Sequence, residues 1–270
     1  MTSIYKVLAG VAVGGALGFA GLVSVASADH SWGGYHWART TSTFTLKLGD
    51  NVSPTWDNYL SLASADWSTS NILDTQTVAG AGKRNCGPVA GRVEICSKKY
   101  GNNGWLGIAS IWISGTHITQ GTVKMNDTYF NNATYNKPSW RQMVLCQEIG
   151  HTFGLGHQDE GFYNTNLGTC MDYTNDPARN DGLGDNLHPN AHDYSMLESI
   201  YAHLDTITTL LQSSATAKGR AALEDGSDDT PASWGREVSR SQDGRTSRFE
   251  KDLGEGQKIL REVFWAEPKK

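Results

Sequence analysis

Apolar residues recur at helical spacing in three stretches of the chain. In Pro54 to Ser68, Trp56, Leu60, Ala63 and Trp67 fall four, three and four apart, which predicts an amphipathic helix with Ser53 as its N-cap. The segment Trp140 to Phe153 is apolar-periodic behind Lys137-Pro138-Ser139 and stops before Gly154 and Gly156, so it predicts a second, longer helix. From about Ala191 to Leu204 a third stripe gathers Tyr194, Leu197, Ile200, Tyr201 and Leu204. Leu106 to Lys124 alternates instead, is rich in Ile, Val and Thr, and is broken by Gly115 and Gly121, which predicts two or three strands. Ser42 to Leu48 reads as the first strand. Helix, strands and helix without repeated strand-helix units predict an α+β domain.

The two ends differ from this body. Val7 to Val23 is uncharged and apolar, and Ala26-Ser27-Ala28 gives a small-x-small pattern, so residues 1–28 read as a secretory signal cleaved near Ala28. The run is short and carries five glycines, whereas a membrane span wants ~20 strongly apolar residues. The expectation is a secreted, extracellular protein with no stable membrane anchor after cleavage. Asp29 to Gln212 holds 11 Lys+Arg and 17 Asp+Glu, while the much shorter Ser213 to Lys270 holds 11 and 11. That shift sets a boundary near Gln212: a body over 29–212, a solvated linker over 213–233 and a C-terminal segment over 234–270. In the last segment Gly254-Glu255-Gly256 suggests the turn of a hairpin, with a short amphipathic helix over Gln257 to Trp265 as the alternative. A net charge of −5 argues against a nucleic-acid partner, which requires a basic face.

Export makes the four cysteines readable as two disulfides. Three pairings are possible. Cys86 and Cys96 lie ten apart across a Gly-Pro turn, and that local closure favours Cys86–Cys96 with Cys146–Cys170.

The most informative stretch is Cys146-Gln147-Glu148-Ile149-Gly150-His151-Thr152-Phe153-Gly154-Leu155-Gly156-His157. On a helix, Gln147 and His151 are one turn apart on one face, with Glu148 beside them. Gly154 permits a sharp turn that returns His157 toward the same point. Two imidazoles, a third donor and a carboxylate converging in this way are the parts of a hydrolytic zinc site.

This segment resembles the metzincin zinc-binding consensus HExxHxxGxxH, with the variant QExxHxxGxxH, and Cys170-Met171-Asp172-Tyr173 is similar to the methionine turn of that family. The resemblance covers about His36 to Leu211. Length and the absence of large insertions are most similar to matrixin-like secreted peptidases, while Met-x-Tyr is closer to astacin-like and serralysin-like members. It implies a metzincin-like zincin fold: a mixed twisted sheet, an active-site helix and a smaller C-terminal subdomain. It also implies a zinc metalloendopeptidase acting on a protein or peptide substrate. His151 and His157 would bind the zinc, Glu148 would be the general base toward a zinc-bound water, Met171 would underlie the metal, and Tyr173 would ligate it or stabilise the oxyanion. Substrate would pair with an edge strand, for which Gly107 to Ser114 is the candidate.

Gln147 stands where the consensus has histidine, and its amide oxygen is a weaker donor than imidazole. Three readings follow. Gln147 ligates zinc through its side-chain oxygen; or His117, or a water, replaces it; or the site is degenerate and the domain is a secreted binding protein working through its C-terminal segment. His30, His36, His188, His192 and His203 have no metal spacing and read as surface or cap residues. Asp159, Glu160, Asp176, Asp181 and Asp185 offer oxygen ligands for a possible calcium, but without a complete Asp-x-Asp-x-Asp-Gly loop they read as solvated carboxylates.

Overall fold

The structure, a computed structural model, describes residues 30–210 and 230–267. The expected signal over 1–28 and most of the expected linker lie outside the described residues. Helix α1 (Asp57–Trp67) buries Leu60, Ala63 and Trp67, the stripe set by the periodicity. Its N-cap is Trp56, with no side-chain cap, rather than Ser53. The Ser53 carbonyl instead accepts from the Trp56 amide at 2.8 Å, closing a turn through Pro54 and Thr55 before the helix begins.

Strands β1 (His36–Trp37), β2 (Phe44–Asn51), β3 (Leu73–Ala79) and β4 (Val93–Lys98) precede a hairpin of β5 (Trp105–Ser114) and β6 (His117–Asn126). Gly115 turns that hairpin, but Gly121 is no break: it continues β6, opposite Val93 on one side and Ile111 on the other. A short helix α2 (Asp127–Phe130) leads to α3 (Pro138–His151), which packs on α1 and on the sheet at β5 and β6. Helix α4 (Ala191–Ile200) begins on a capping box of Asn190 and Asp193. It stops short of the expected Leu204, because the chain turns to pair the Asp205 amide with the Arg39 carbonyl at 2.9 Å.

The segment after Trp234 contributes β7 (Arg236–Arg240), β8 (Thr246–Gly254) and β9 (Gln257–Trp265) to the same sheet. Of the two expectations for 257–265, the hairpin is the one observed. The strand order is β3-β2-β4-β6-β5-β9-β8-β7, with β1 also pairing with β6. The strands β1, β2, β3, β4 and β6 run parallel to their neighbours among themselves, while β5, β9, β8 and β7 form an antiparallel run. The fold is therefore α+β on a mixed sheet. Its main core lies between α1, α3 and the sheet, and a smaller cluster of Trp105, Ile108, Trp234, Phe249, Val263 and Trp265 anchors the last strands.

The disulfides are Cys86–Cys96 and Cys146–Cys170, and the second ties α3 to the Met171 turn. No helix among the described residues is long and apolar enough to cross a membrane.

Candidate active site

Helix α3 carries Gln147, Glu148 and His151 in its last turns, each at most 1% exposed. The chain leaves the helix through Gly154, whose φ of +95° L side chains rarely adopt and whose added Cβ would strike the Tyr35 carbonyl oxygen. This turn brings His157 back, so that its ring centroid lies 4.5 Å from that of His151, nearly perpendicular to it. The segment entering the domain supports the turn: the Trp32 amide donates to Gly154 O at 2.6 Å, and Gly156 N–H donates to the His30 carbonyl.

The buried atoms that face no protein hydrogen-bond partner include Gln147 Oε1, His151 Nε2 and His157 Nε2. The other polar atoms of these side chains are engaged. Gln147 Nε2 donates to the Cys170 carbonyl at 2.9 Å, and His151 Nδ1 lies 2.9 Å from Leu155 O. His157 Nδ1 lies 3.4 Å from Glu160 Oε1 and 3.7 Å from Glu262 Oε1. A carbonyl or carboxylate on Nδ1 keeps the proton there and leaves Nε2 as a lone pair, the arrangement usual for metal-ligating histidine. Burial, the largest cause for both, holds both imidazoles well below their ordinary value; the neighbouring His157 adds to this for His151, and Arg248 for His157. Both are therefore neutral, as ligands must be. A donor set of two imidazole nitrogens and one amide oxygen, left unsatisfied in a buried site, fits a zinc ion.

Glu148 approaches the sheet at Gly107 of β5, where an added Cβ would come within 2.6 Å of its Oε1. Burial pushes its carboxyl well above the ordinary range and the Glu262 carboxylate pushes it further, while the Ala109 amide draws it partly back. Met171 lies under α3, its Sδ 2.5 Å from where a Cβ on Gly150 would stand. Tyr173 is 1% exposed, and its ring meets His157 edge-on at 4.6 Å. Burial first, then the Glu148 and Glu262 carboxylates, raise its phenol, which stays protonated.

Three sequence expectations change here. The Gly107 to Ser114 strand is not an edge, because β9 pairs along β5 from Trp105 to Ser114 on the side away from β6. His117 does not replace Gln147; its Nε2 lies 3.0 Å from Asp205 Oδ1. His30 and His36 are buried rather than superficial, at 5% exposure each. The five loop carboxylates do not converge: among the described residues the one His/Cys/Asp/Glu cluster of metal-holding geometry is His36, His203 and Asp205. Asp159 Oδ1 accepts from Asn164 Nδ2 at 2.7 Å, and Asp181 pairs with Arg179 at 2.8 Å, so these two carboxylates organise their own loop.

Reading the motif alone misses what β8 and β9 bring to the site. Glu262 is 1% exposed and accepts from Thr246 Oγ1 at 2.8 Å and Arg248 Nε at 2.7 Å. Burial lifts its carboxyl to about 7 against the pull of Arg248. Phe264 stacks on the Tyr173 ring at 4.4 Å. The sequence signal for these residues was only the segment Gln257 to Trp265, read as a hairpin arm or a short amphipathic helix, and neither reading names a partner strand.

No protein-family model matches the chain, and no curated protein matches it. Two solved structures of myroilysin are similar in outline. One has a TM-score of 0.37 and 13% identity, covering 64% of this chain and 98% of the other. The second has a TM-score of 0.33 and 12% identity, covering 67% and 97%. At scores this low the likeness assigns neither a family nor an activity.

Proposed function

We propose that the chain is a secreted zinc-dependent endopeptidase that hydrolyses peptide bonds with Glu148 as general base. The observation that carries the reading is that Gln147 Oε1, His151 Nε2 and His157 Nε2 are all buried without protein partners, with the two imidazole rings 4.5 Å apart and Gln147 one turn before His151 on α3. An isolated buried acceptor costs ~1–3 kcal/mol, and one divalent cation would satisfy all three. Gln147 is then a ligand through its oxygen, oriented by the hydrogen bond from its own NH2 group to Cys170 O.

When bound, zinc supplies Lewis-acid polarisation of a carbonyl and acidification of water. The remaining chemistry belongs to the chain. Glu148 is held toward its protonated form by burial, and a nearby cation draws it back toward the carboxylate, so the group is set to accept a proton and return it to a leaving amine. Tyr173, kept as the neutral phenol, donates a hydrogen bond to a developing oxyanion. Leu155 O and the carboxylates near His157 hold the two ligand rings in one tautomer. The two disulfides agree with an oxidising compartment.

The test uses the full chain and an unfolded protein substrate, with chelator and then with zinc restored. Chelator-sensitive cleavage that returns with zinc, and that Glu148→Gln removes while zinc is retained, supports the reading. Cleavage equally present in Glu148→Gln would sink it.

A further inference from the structure

A second cluster of donors lies apart from α3, where β1, the start of β6 and the segment after α4 meet. His36 Nε2 is 3.1 Å from His203 Nε2 and 3.5 Å from Asp205 Oδ1, and His203 Nε2 is 3.8 Å from the same oxygen. For bonds of ~2.0–2.1 Å, the edges of a tetrahedron of ligands around zinc measure ~3.3 Å, and these three separations bracket that length. The three donors therefore already stand at about the spacing a single ion imposes.

Their surroundings fix the orientation in the same sense. His36 Nδ1 lies 3.1 Å from the Gly34 carbonyl, which holds the proton on Nδ1 and presents the Nε2 lone pair to the cluster. Asp205 is anchored on its other side: Oδ2 accepts from the Arg39 amide at 3.0 Å, and the Asp205 amide donates to the Arg39 carbonyl at 2.9 Å. His117 Nε2 lies 3.0 Å from Asp205 Oδ1 and so steadies the ligating oxygen. His36 is buried, while the His203 side chain is about half exposed, leaving the site a solvent path for an ion. A hydrophobic core does not need three imidazoles and one carboxylate gathered from three parts of the chain.

We propose that His36, His203 and Asp205 form a second metal site that takes a zinc-like divalent cation and acts as a structural clamp. The clamp joins the N-terminal strand to the segment following α4, across 167 residues of sequence. An ion bound only in the native state stabilises it by RT ln(1 + [L]/Kd), so the stabilisation grows with free zinc. The proposal is independent of the α3 site, since none of its residues belongs to that constellation.

The experiment counts metal. The full chain and His203→Ala are equilibrated with micromolar zinc, freed of excess, and assayed for zinc per chain, with thermal unfolding followed against zinc concentration. His203 is chosen because its exposed side chain can be removed without opening the core. The expected result is one zinc fewer per chain in His203→Ala, together with a smaller zinc-dependent rise in Tm. A second variant, Asp205→Asn, keeps the shape of the side chain and weakens zinc affinity at this site by about tenfold or more. Equal zinc content in the wild-type and His203→Ala chains, with equal Tm responses, would overturn the proposal and leave a hydrogen-bonded histidine cluster only.

Discussion

At the residue scale, the proposed zinc site turns on Gln147. Its amide nitrogen donates to Cys170 O, which leaves Oε1 as the atom it could offer an ion. A neutral amide oxygen is a poorer zinc donor than imidazole, and Gln147→His is expected to slow zinc loss to a competing chelator by about tenfold or more. Imidazole cannot reproduce the donation to Cys170 O from the same position, so the gain is expected to come with a lower Tm. Unchanged zinc loss, measured by chelator competition in a folded variant, would remove Gln147 from the ligand set. Residue types and spacing made His151, His157 and Glu148 legible in the sequence, since i, i+4 geometry is a property of the helix itself. The role of Gln147 was left open there; the structure adds that its amide nitrogen donates to Cys170 O and that His117 lies on Asp205.

At the element scale, periodicity located the longer helices well. Helices α1 and α3 lie close to where the apolar stripes put them. Two of the misreadings share one cause: local rules yielded to contacts made far away in sequence. Gly121 carries β6 through instead of breaking it, because β4 and β5 pair on both of its sides. Helix α4 gives up its last turn to the Arg39–Asp205 pairing. The packing of α3 on β5 has its own test at Gly107, where the sheet admits the Glu148 side chain only for want of a Cβ. Gly107→Ala would also press Val144 at 2.8 Å, and overpacking of this kind costs ~1–3 kcal/mol. The expected outcome is a Tm lower by a few degrees and peptide hydrolysis reduced at least about tenfold, with zinc content unchanged because no ligand atom touches Gly107. Wild-type turnover in Gly107→Ala would show that the position of Glu148 against the sheet does not matter.

At the scale of the whole molecule, β9 pairs along β5 beside the α3 constellation. The sequence marked the C-terminal segment only by its charge density and its glycine turn, and β5 was expected to offer a free edge to substrate. Pairing between strands about 150 residues apart leaves no local trace, since an apolar run states that it will be buried and not against what. The last strands occupy the β5 edge on which substrate was expected, with Glu262 beside His157 and Phe264 stacked on Tyr173. Glu148 and His151 are each 1% exposed with β9 in place. Hydrolysis by the full chain is therefore expected to be slow, though still chelator-sensitive, while β7 to β9 are seated. Trp234, 1% exposed and packed against Phe249 and Trp265, is the anchor of that segment. Truncating a buried Trp to Ala costs ~3–5 kcal/mol, and here the loss falls on the docking of the last three strands. In Trp234→Ala, hydrogen exchange over 236–265 should quicken before the rest of the chain, and zinc-dependent hydrolysis should rise at least about tenfold. Faster exchange in those strands without any rise in hydrolysis would show that β9 does not gate the site. Hydrolysis by the wild-type chain that already matches the variant would show the same, because it would mean substrate reaches Glu148 with β9 in place.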